Sequence, residues 1–576
     1  MAAGGDDLTP DERAHIAPYV TDPVGPVFAL VNLPEAVKGA LFARYSRSPD
    51  SVRRILLTEF LPDSGGSAPA PSPEVGADRA REFFQRVLAD YGDDSVAQLG
   101  GAHVAIEGVS NVLTKVIEWG RLASYLEQST RYVAYDTRRN GRWKYVRPAG
   151  IAADPTLLAE YERVLDDTFA TYARLNAVVL AHLMATEAPD GDAAARRAQR
   201  ARALDAVRGL LPAATTANLG VYASGQAWES LIIRLRAHPL VEAREVGDQM
   251  LEALRHVIPD FLTRVDREDR GERHGAYRRA TDERAATIAS LLTPTTGTDP
   301  GWGQTPGGDR PRVGENPAAM GHDPEWGQTP GGDRPRVGSV PGVGSVPGVG
   351  GVRLLEFDPD GEARVLAHAL WPSSGMSLDE MRSRVLAISP TERSRMLAQW
   401  ADGRADRRER PGRALEATAY LFEITCDYGA YRDLQRHRLL TLEAQPLGAT
   451  LGWERSPDAE AAGVADEFAR VHEASAALWR DLTGVVPDEA PYAVTMSHRI
   501  RFAIRMNARE AMHLIELRSQ PQGHAAYRRV AQDMHTAIRD VAGHAALAAL
   551  MHYTDMDGHG DRLAQERRTA LRRGES

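Results

Sequence analysis

The stretch that decides the fold is Trp119-Gly-Arg-Leu-Ala-Ser-Tyr-Leu-Glu-Gln-Ser-Thr-Arg-Tyr132, in which hydrogen-bonding side chains outnumber aliphatic ones. This density of polar groups points to a binding site rather than to core packing. If the stretch is helical, Ser124, Glu127 and Arg131 share one face, whereas an extended chain puts Glu127, Ser129 and Arg131 on one side. In either conformation, Arg131 beside a hydroxyl can bind a phosphate through forked hydrogen bonds.

This stretch resembles the signature of the flavin-dependent thymidylate synthases, which reads Arg-His-Arg-x-x-Ser-x-x-Glu-x-Ser-x-Arg-Tyr. The matching positions are Arg121, Ser124, Glu127, Ser129, Arg131 and Tyr132. Trp119 and Gly120 stand where the family has Arg-His. In the family, the Arg-His-Arg end contacts the flavin and the Glu-x-Ser-x-Arg end contacts deoxyuridylate. The resemblance therefore implies that this copy keeps only the nucleotide end.

The Arg-His pair missing from the first copy occurs in a second, partial copy of the signature at Gln435-Arg-His-Arg438. Thr441 can replace the family's first serine. The positions of the family's Glu, Ser, Arg and Tyr are taken by Ala444, Pro446, Gly448 and Ala449. The resemblance implies that this second copy keeps the flavin end.

A later block of the family also occurs in both halves. In the family, an arginine before a Leu-Pro step binds the nucleotide phosphate, an Asn-x-Arg step contacts flavin, and an arginine further along reaches the nucleotide. Arg208, in Arg208-Gly-Leu-Leu-Pro212, matches the first of these. Asn507, Arg509 and Arg518 match the others, whereas the first half has Gln226 in place of the arginine of the Asn-x-Arg step.

We therefore expect one composite site built from both halves. Its predicted flavin-binding residues are Arg436, His437, Arg438, Asn507 and Arg509. Its predicted substrate-binding residues are Glu127, Ser129, Arg131 and Arg208, joined by Arg518. Because the family builds each active site from several subunits of a homotetramer, the resemblance implies a homodimer in which two fused chains form a pseudo-tetramer.

Composition bounds what this site can be part of. The chain has 576 residues, of which 43% are hydrophobic and 26% charged, enough for about two to four domains. Its single cysteine, Cys426, excludes an internal disulfide framework and fits a reducing cytoplasm. A net charge of −10 argues against nucleic acid as the main partner, and no apolar run approaches a membrane span.

The clearest boundary lies in the middle, where Asp299 to Gly314 recurs nearly intact at Asp323 to Gly338 and a Ser-Val-Pro-Gly-Val-Gly unit repeats twice. This composition predicts a disordered linker at 294–351. A ligand tract for an aromatic groove and a phosphate loop remain weaker alternatives for it. The remaining predicted units are an N-terminal arm at 1–24, a nucleotide half at 25–265, a flavin half at 352–555 and a charged tail at 556–576.

The resemblance implies an α+β fold of two tandem domains of the thymidylate-synthase-complementing type, each a small, mostly antiparallel sheet with long helices. The sequence itself predicts strands at 27–31 and 352–357, followed by helices that begin near Glu35 and Glu362. It predicts helical segments at 95–118 and 412–435, and long helices at 156–184 and 458–482. Trp228, Leu231, Ile232 and Leu235 are expected on one helix face.

The implied activity is reductive methylation of dUMP to dTMP, with carbon from methylenetetrahydrofolate and reducing equivalents from NADPH through FAD. The alternative is a flavin- or nucleotide-binding protein on the same scaffold that is non-catalytic or has a changed substrate. No residue is assigned as a nucleophile, since no histidine lies near Ser129 in sequence. No metal site is predicted, because the metal-like residue types at His552 to Asp561 have the spacing of neither a helical histidine pair nor a calcium loop.

Overall fold

The computed structural model describes residues 8–45, 48–61, 76, 79–80, 98–186, 193–292, 351–557 and 567. The predicted linker, apart from Gly351, and most of the predicted tail at 556–576 lie outside these residues. Within them the chain is a mixture of helix and two antiparallel sheets, one on each side of the linker. The prediction of mixed helix and sheet is therefore confirmed.

The sheet of the first half has three antiparallel strands in the order β1-β3-β2. They are β1 (Gly101–Ser110), β2 (Ala123–Glu127) and β3 (Thr216–Ser224). Glu127 lies opposite Leu219 at the end of the edge strand β2. The signature stretch is thus extended from Ala123 to Glu127, and it then turns, with the amides of Tyr132 and Val133 donating to the Ser129 carbonyl. Neither of the two predicted conformations holds for the whole stretch.

The sheet of the second half repeats this arrangement with one additional edge strand. Its strands are β4 (Gly351–Phe357), β5 (Ala419–Asp427), β6 (Thr441–Ala444) and β7 (Arg499–Asn507), in the order β4-β5-β7-β6. Strands β5, β7 and β6 correspond to β1, β3 and β2. Both signature copies therefore lead into the same kind of edge strand, and in the second copy Thr441 pairs with Arg505.

Helices cover both sheets. Those of the first half are α1 (Pro10–Ile16), α2 (Glu35–Tyr45), α3 (Val52–Ile55), α4 (Asn111–Ile117), α5 (Ala149–Ala152), α6 (Pro155–Thr186), α7 (Ala193–Val207), α8 (Gly225–Arg236), α9 (Val241–Arg255) and α10 (Arg273–Leu292). Those of the second half are α11 (Gly361–Leu370), α12 (Leu378–Ala387), α13 (Pro390–Trp400), α14 (Tyr428–Leu434), α15 (Pro457–Ala461), α16 (Ala465–Thr483), α17 (Ala508–Arg518), α18 (Ala525–Asp540) and α19 (Ala545–Leu550). Among the described residues, no helix combines the length and apolar composition needed to cross a membrane.

The helix predictions near Glu35, near Glu362 and at 156–184 are confirmed by α2, α11 and α6, and α15 with α16 covers most of 458–482. The strand at 352–357 is confirmed, but the one predicted at 27–31 was wrong, since that region forms only a single bridge between Val20 and Leu30. The predicted helical face of α8 is buried.

Two regions predicted to be helical begin instead as strands. In 412–435, Phe422, Ile424 and Cys426 are buried while the residues between them are less so, which is the period of a strand. In 95–118, β1 precedes α4, and a bulge before Val109 includes Gly108 at φ +74°, which breaks the alternation. Each region does contain a short helix, α4 after β1 and α14 after β5, and the helical prediction was wrongly extended over the strand before it.

Backbone hydrogen bonds join the two halves directly. The segments before β3 and β7 run alongside each other: the Ala213 amide donates to the Val494 carbonyl at 2.7 Å, and the Met496 amide donates to the Leu211 carbonyl at 2.9 Å. Pro212 and Thr495 form the bridge at the centre. Because these residues are buried, breaking this contact would leave backbone groups unpaired in the core.

A side chain of the second half also caps a helix of the first. The Glu489 carboxylate accepts hydrogen bonds from the amides of Gly150 at 3.0 Å and Ile151 at 2.8 Å, at the beginning of α5. Glu489 is 7% exposed. A buried anion at a helix N-terminus compensates donors that the helix itself cannot satisfy.

We expect Glu489→Ala to lower the free energy of unfolding by about 2 kcal/mol, because two buried amides lose a charged acceptor. Urea unfolding followed by circular dichroism measures the change. Glu473→Ala, which removes an exposed carboxylate from α16, is the control. An equal effect of both substitutions would contradict the capping role.

Candidate functional site

One buried carboxylate lies among arginines from both halves. Asp433 forms an ion pair with Arg436, and its carboxylate oxygens lie 3.6 Å from Arg518 Nη1 and 3.8 Å from Arg208 Nη1. Burial opposes ionisation of Asp433, but the guanidinium groups of Arg436, Arg518, Arg208 and Arg131 outweigh it and hold its pKa well below the usual range. The carboxylate therefore occupies a position suited to an anion.

Different elements bring these groups together. Asp433 lies near the end of α14, a helix capped by Asp427 and buried along its whole length, and Arg436 follows it. Arg518 ends α17, whereas Arg208 follows α7 in the first half. Because the segments containing Arg208 and Thr495 run side by side, the backbone contact between the halves fixes this meeting of charges.

Arg131 is held from three directions. Its Nε and Nη2 donate to the Asp205 carboxylate at 2.7 and 2.8 Å, its Nη1 donates to the Tyr527 hydroxyl at 2.9 Å, and Nη2 also donates to the Gln522 carbonyl at 3.0 Å. The Ser129 hydroxyl accepts a hydrogen bond from the Arg131 amide at 3.2 Å. The first-half arginine thus already depends on second-half residues for its position.

Glu127 forms the other buried ion pair of the cluster. Its carboxylate lies 2.6 Å from Arg432 Nη2 and 3.1 Å from Lys115 Nζ, and Lys115 also contacts Glu118. Burial raises the pKa of Glu127, but Arg432 and Lys115 outweigh that effect and lower it to about 2. Glu127 is therefore ionised and joins β2 of the first half to α14 of the second.

The structure brings the four first-half substrate residues predicted from sequence together with Arg436. Glu127, Ser129, Arg131, Arg208 and Arg436 line one small cavity of about 20 Å³, together with Arg432 and Asp433. This volume holds about one water molecule. A larger anion therefore requires the Asp433 side chain to move away from the arginines.

The ion pairs of this cluster join six cations to four carboxylates. The cations are Lys115, Arg131, Arg208, Arg432, Arg436 and Arg518, and the carboxylates are Glu118, Glu127, Asp205 and Asp433. Two more carboxylates lie close by: Glu510 reaches Arg518 through neutral His437, and Asp427 lies near Arg208. Because these charges are close to balanced, an added anion such as a phosphate monoester replaces the Asp433 carboxylate and does not bind beside it.

Several of these residues were missed from the sequence: Lys115, Glu118, Asp205, Arg432 and Asp433. A signal existed for two of them. Arg432 and Asp433 are charged residues in the otherwise apolar and aromatic run of α14, directly before the second signature copy. Charges on a helix without a polar face indicate buried ion pairs.

His437 lies within a chain of hydrogen bonds. Arg518 Nε donates to His437 Nε2 at 3.0 Å, so the ring proton of His437 is on Nδ1. His437 Nδ1 then donates to Glu510 Oε1 at 2.9 Å. The other oxygen of this carboxylate, Glu510 Oε2, lies 3.4 Å from His513 Nδ1. Burial lowers the pKa of His437 to about 4, so the ring is neutral at pH 7. The ligand atoms of His437, Glu510 and His513 lie within 4.8 Å of one another, but Arg518 places a cation directly on His437 Nε2.

The remaining predicted flavin residues are spread out. Arg438 donates to the Ala123 carbonyl of the first half. The Asn507 side chain accepts from the Glu510 amide at 2.9 Å and so caps α17, and Arg509 Nη1 lies 3.7 Å from Glu416. The structure thus brings Arg436, His437 and Arg438 to the first half but leaves Asn507 and Arg509 bonded within the second.

A larger, mainly apolar cavity of about 520 Å³ lies between the halves, beside the charge cluster. His437 and Arg438 of the second half line it, and Arg121 Nη2 donates to Thr441 Oγ1 at 3.0 Å across it. Trp119, Tyr125 and Arg234 form part of its first-half wall. Another cavity, of about 920 Å³, lies beside the turn at Asn140-Gly141 and has none of the ten predicted site residues in its described lining.

The sequence matches the family described as thymidylate synthase complementing protein in two segments, residues 47–260 and 353–543. A UPF0159 protein of Chlamydia muridarum is 34% identical over 98% of both chains. A flavin-dependent thymidylate synthase of Mycolicibacterium gilvum is 31% identical and covers 34% of this chain and 72% of its own length.

Among solved structures, the chain is similar to a UMP/dUMP methylase from Streptomyces cacaoi bound with 5-Br dUMP. That similarity has 18% sequence identity and a TM-score of 0.28, and it covers 35% of this chain and 95% of the other. The two matching segments of the sequence lie on either side of the repeat segment, one in each half.

We expect Asp433→Asn to strengthen binding of inorganic phosphate roughly tenfold, because the substitution removes the carboxylate that competes for the same arginines. Isothermal titration calorimetry measures the dissociation constant. Asp481→Asn, at an exposed position on α16, should leave it unchanged. Weaker or unchanged phosphate binding by Asp433→Asn would show that phosphate does not bind at the position of the Asp433 carboxylate.

We expect stability to fall as pH decreases from 6.5 to 4, because His437 has a pKa of about 4 in the folded protein and an ordinary value near 6.5 when unfolded. The unfolded state then binds more protons, and stability is lost on that side. Urea unfolding as a function of pH should show His437→Gln reducing this loss by about 2 kcal/mol at pH 4.5. The same substitution at exposed His274 should not.

Proposed function

Because the chain belongs to the thymidylate synthase complementing protein family, we propose that it is a cytoplasmic, FAD-dependent enzyme that methylates dUMP to dTMP in a site built from both halves. The observation that carries this proposal is the arginine cluster around Asp433, to which both halves contribute. Three arginines that converge on one carboxylate position suit the phosphate of a nucleoside monophosphate. The similarity to a named flavin-dependent thymidylate synthase supports the reaction class.

The nucleotide phosphate takes the place of the Asp433 carboxylate. Arg208 comes from the first half, whereas Arg436 and Arg518 come from the second, and all three already face that position. The sequence assigned Arg436 to flavin, but its ion pair with Asp433 leads us to propose the phosphate instead. Arg131 and Ser129 line the same cavity, as does the ion pair of Glu127 with Arg432. Each charge-assisted hydrogen bond to the phosphate contributes about 1.5 to 3 kcal/mol.

The cavity of about 520 Å³ fits the ring system of a flavin, because its walls are mainly apolar, include Trp119 and Tyr125, and present the Arg121 and Arg438 guanidinium groups. When bound, FAD supplies hydride transfer, with NADPH as the reductant and methylenetetrahydrofolate as the carbon donor. Among the predicted flavin residues, His437 and Arg438 hold the ring. Asn507 and Arg509 lie outside this cavity and can contact only a more distant part of the cofactor.

The protein's own contribution is positioning and charge. The arginines bind the phosphate and offset negative charge that develops on the pyrimidine during methyl transfer. His437 stays neutral and is oriented by Arg518 and Glu510 at the boundary between the charge cluster and the cavity. No thiolate takes part, since Cys426 is buried in β5 and burial raises its pKa.

We further propose that the protein is a homodimer in which two chains form a pseudo-tetramer. Leu122 lies just before the edge strand β2 and is 69% exposed, and Leu126 lies in that strand and is 79% exposed. Leu439, just before the edge strand β6, is 67% exposed and is the second-half counterpart of Leu122. Exposed leucines at equivalent positions of both halves suit a two-fold contact, which presents the same surface from each chain.

We expect Leu439→Glu to convert the dimer into a monomer of 62.8 kDa. In a two-fold contact each chain would bury one unpaired carboxylate against an apolar surface, which is costly. Sedimentation velocity measures the mass. Val485→Glu, at a residue that is 64% exposed elsewhere in the second half, should leave the dimer intact. A wild-type monomer would contradict the proposed assembly but not the composite site within one chain.

The second candidate is a flavin- or nucleotide-binding protein without catalysis or with a changed substrate. The observation that favours it is Asp433, which already compensates the arginines and closes the small cavity. Such a protein would bind dUMP without turnover. Oxidation of NADPH stimulated by dUMP, with dTMP as product, separates the enzyme from this binder.

We expect Arg131→Ala and Arg436→Ala each to weaken dUMP binding roughly 10- to 100-fold, because each removes a charge-assisted contact to the phosphate from a different half. Titration of dUMP into the flavin-loaded protein, followed by flavin absorbance, measures the affinity. Arg480→Ala, on the exposed side of α16, is the matched control. If Arg131→Ala responds as the wild type does, the composite nucleotide site is wrong.

A further inference from the structure

The cavity of about 520 Å³ exists because the first half has small residues at positions where the second half has larger ones. Helices α8 and α17 follow equivalent strands and begin after equivalent caps, Ser224 and Asn507. The second-half residues that fill the equivalent space are His437, Glu510 and His513, and their first-half counterparts are Gly120, Ala227 and Ser230. A Cβ on Gly120 would lie only 2.7 Å from the Tyr125 hydroxyl. The first half therefore keeps open a space that the second half fills.

A desolvated cation borders this space. Arg234, on α8, donates from Nη2 to the carbonyls of Val116 at 3.1 Å and Ile117 at 3.2 Å, but its buried Nε has no hydrogen-bond partner. No carboxylate among the described residues forms an ion pair with it. Burial lowers the pKa of Arg234 to about 10; Tyr125 opposes this shift and nearby Arg278 adds to it. The guanidinium remains charged at neutral pH and lacks a counter-charge.

An aromatic surface adjoins the same cation. The Arg234 guanidinium lies 5.3 Å from the centre of the Trp119 ring, and that of Arg278 lies 5.8 Å from it. Trp119 is 44% exposed, so part of its ring is open to a ligand. An indole beside two guanidinium groups favours a planar ligand that carries negative charge.

We propose that Trp119 and Arg234 form a first-half subsite that binds a planar aromatic anion. Resting on the proposed function, the occupant is the flavin ring system, which gains negative charge on reduction. Arg234 then supplies the missing counter-charge, and Trp119 supplies a stacking surface. The second-half counterpart of Arg234 is Leu517, which carries no charge, so this contribution belongs to the first half alone. The half that lacks the Arg-His pair thus binds the cofactor in another way.

The first test places a carboxylate beside Arg234. Ser230 precedes Arg234 by one helical turn, so Ser230→Glu can form an ion pair with it, whereas Ser230→Gln has the same size without the charge. We expect Ser230→Glu to weaken FAD binding at least tenfold relative to Ser230→Gln, measured by flavin fluorescence, while raising the midpoint of thermal unfolding. Equal FAD affinity for the two variants would overturn the proposal.

The second test uses the reduction potential of bound FAD. Arg234→Met should lose at least a tenfold preference for reduced over oxidised cofactor, which corresponds to a potential lower by about 30 mV for a two-electron couple. Arg236→Met, on the same helix but ion-paired with Asp248 and Glu272, should keep the wild-type potential. If the wild type binds FAD, and FAD bound to Arg234→Met has the same reduction potential as FAD bound to the wild type, the proposed subsite is wrong. If the wild type binds no FAD, the proposed function fails first, and the subsite with it.

Discussion

The structure depends on the meeting of one carboxylate, Asp433, with arginines that neither half could assemble alone. Burying these charges is costly unless they are paired, and the pairs cross the boundary between the halves at Glu127 with Arg432 and at Asp433 with Arg208. The backbone bonds around Pro212 and Thr495 hold the segments in place for this contact. The two halves therefore form one structural unit, and the arginines that join them converge on a single anion position, which Asp433 occupies.

The two halves have kept the same framework and divided its polar groups between them. Each has an antiparallel sheet, a short buried helix after one strand and a capped helix after another. The second half places His437 against Glu510 and His513 of its helix α17, whereas the first half leaves a cavity at the equivalent place. Divergence after duplication thus produced an asymmetric pair, in which one side supplies packed polar groups and the other supplies space.

The resemblance to the family signature assigned Glu127, Ser129, Arg131 and Arg208 to substrate, and the structure places all four in the lining of one cavity together with Arg436. Motifs could not identify Asp433 or Lys115, because neither belongs to one, and Asp433 meets Arg208 and Arg518 only through the fold. The sequence also failed to predict strands β1 and β5, since each precedes a short helix. The flavin contacts of Asn507 and Arg509 stay predictions, and the contacts that these residues make lie within the second half.

We infer that the two halves build one anion site. A double-mutant cycle between Arg208 and Arg518 tests this inference. These residues belong to different halves and approach the same carboxylate. The measurement is the dissociation constant of dUMP for Arg208→Ala, Arg518→Ala and the double variant. We expect the losses of dUMP binding free energy to be non-additive, with a coupling energy of at least about 0.5 kcal/mol, as is usual for residues that share a partner. Losses that add within about 0.3 kcal/mol would show two independent positions and contradict this inference.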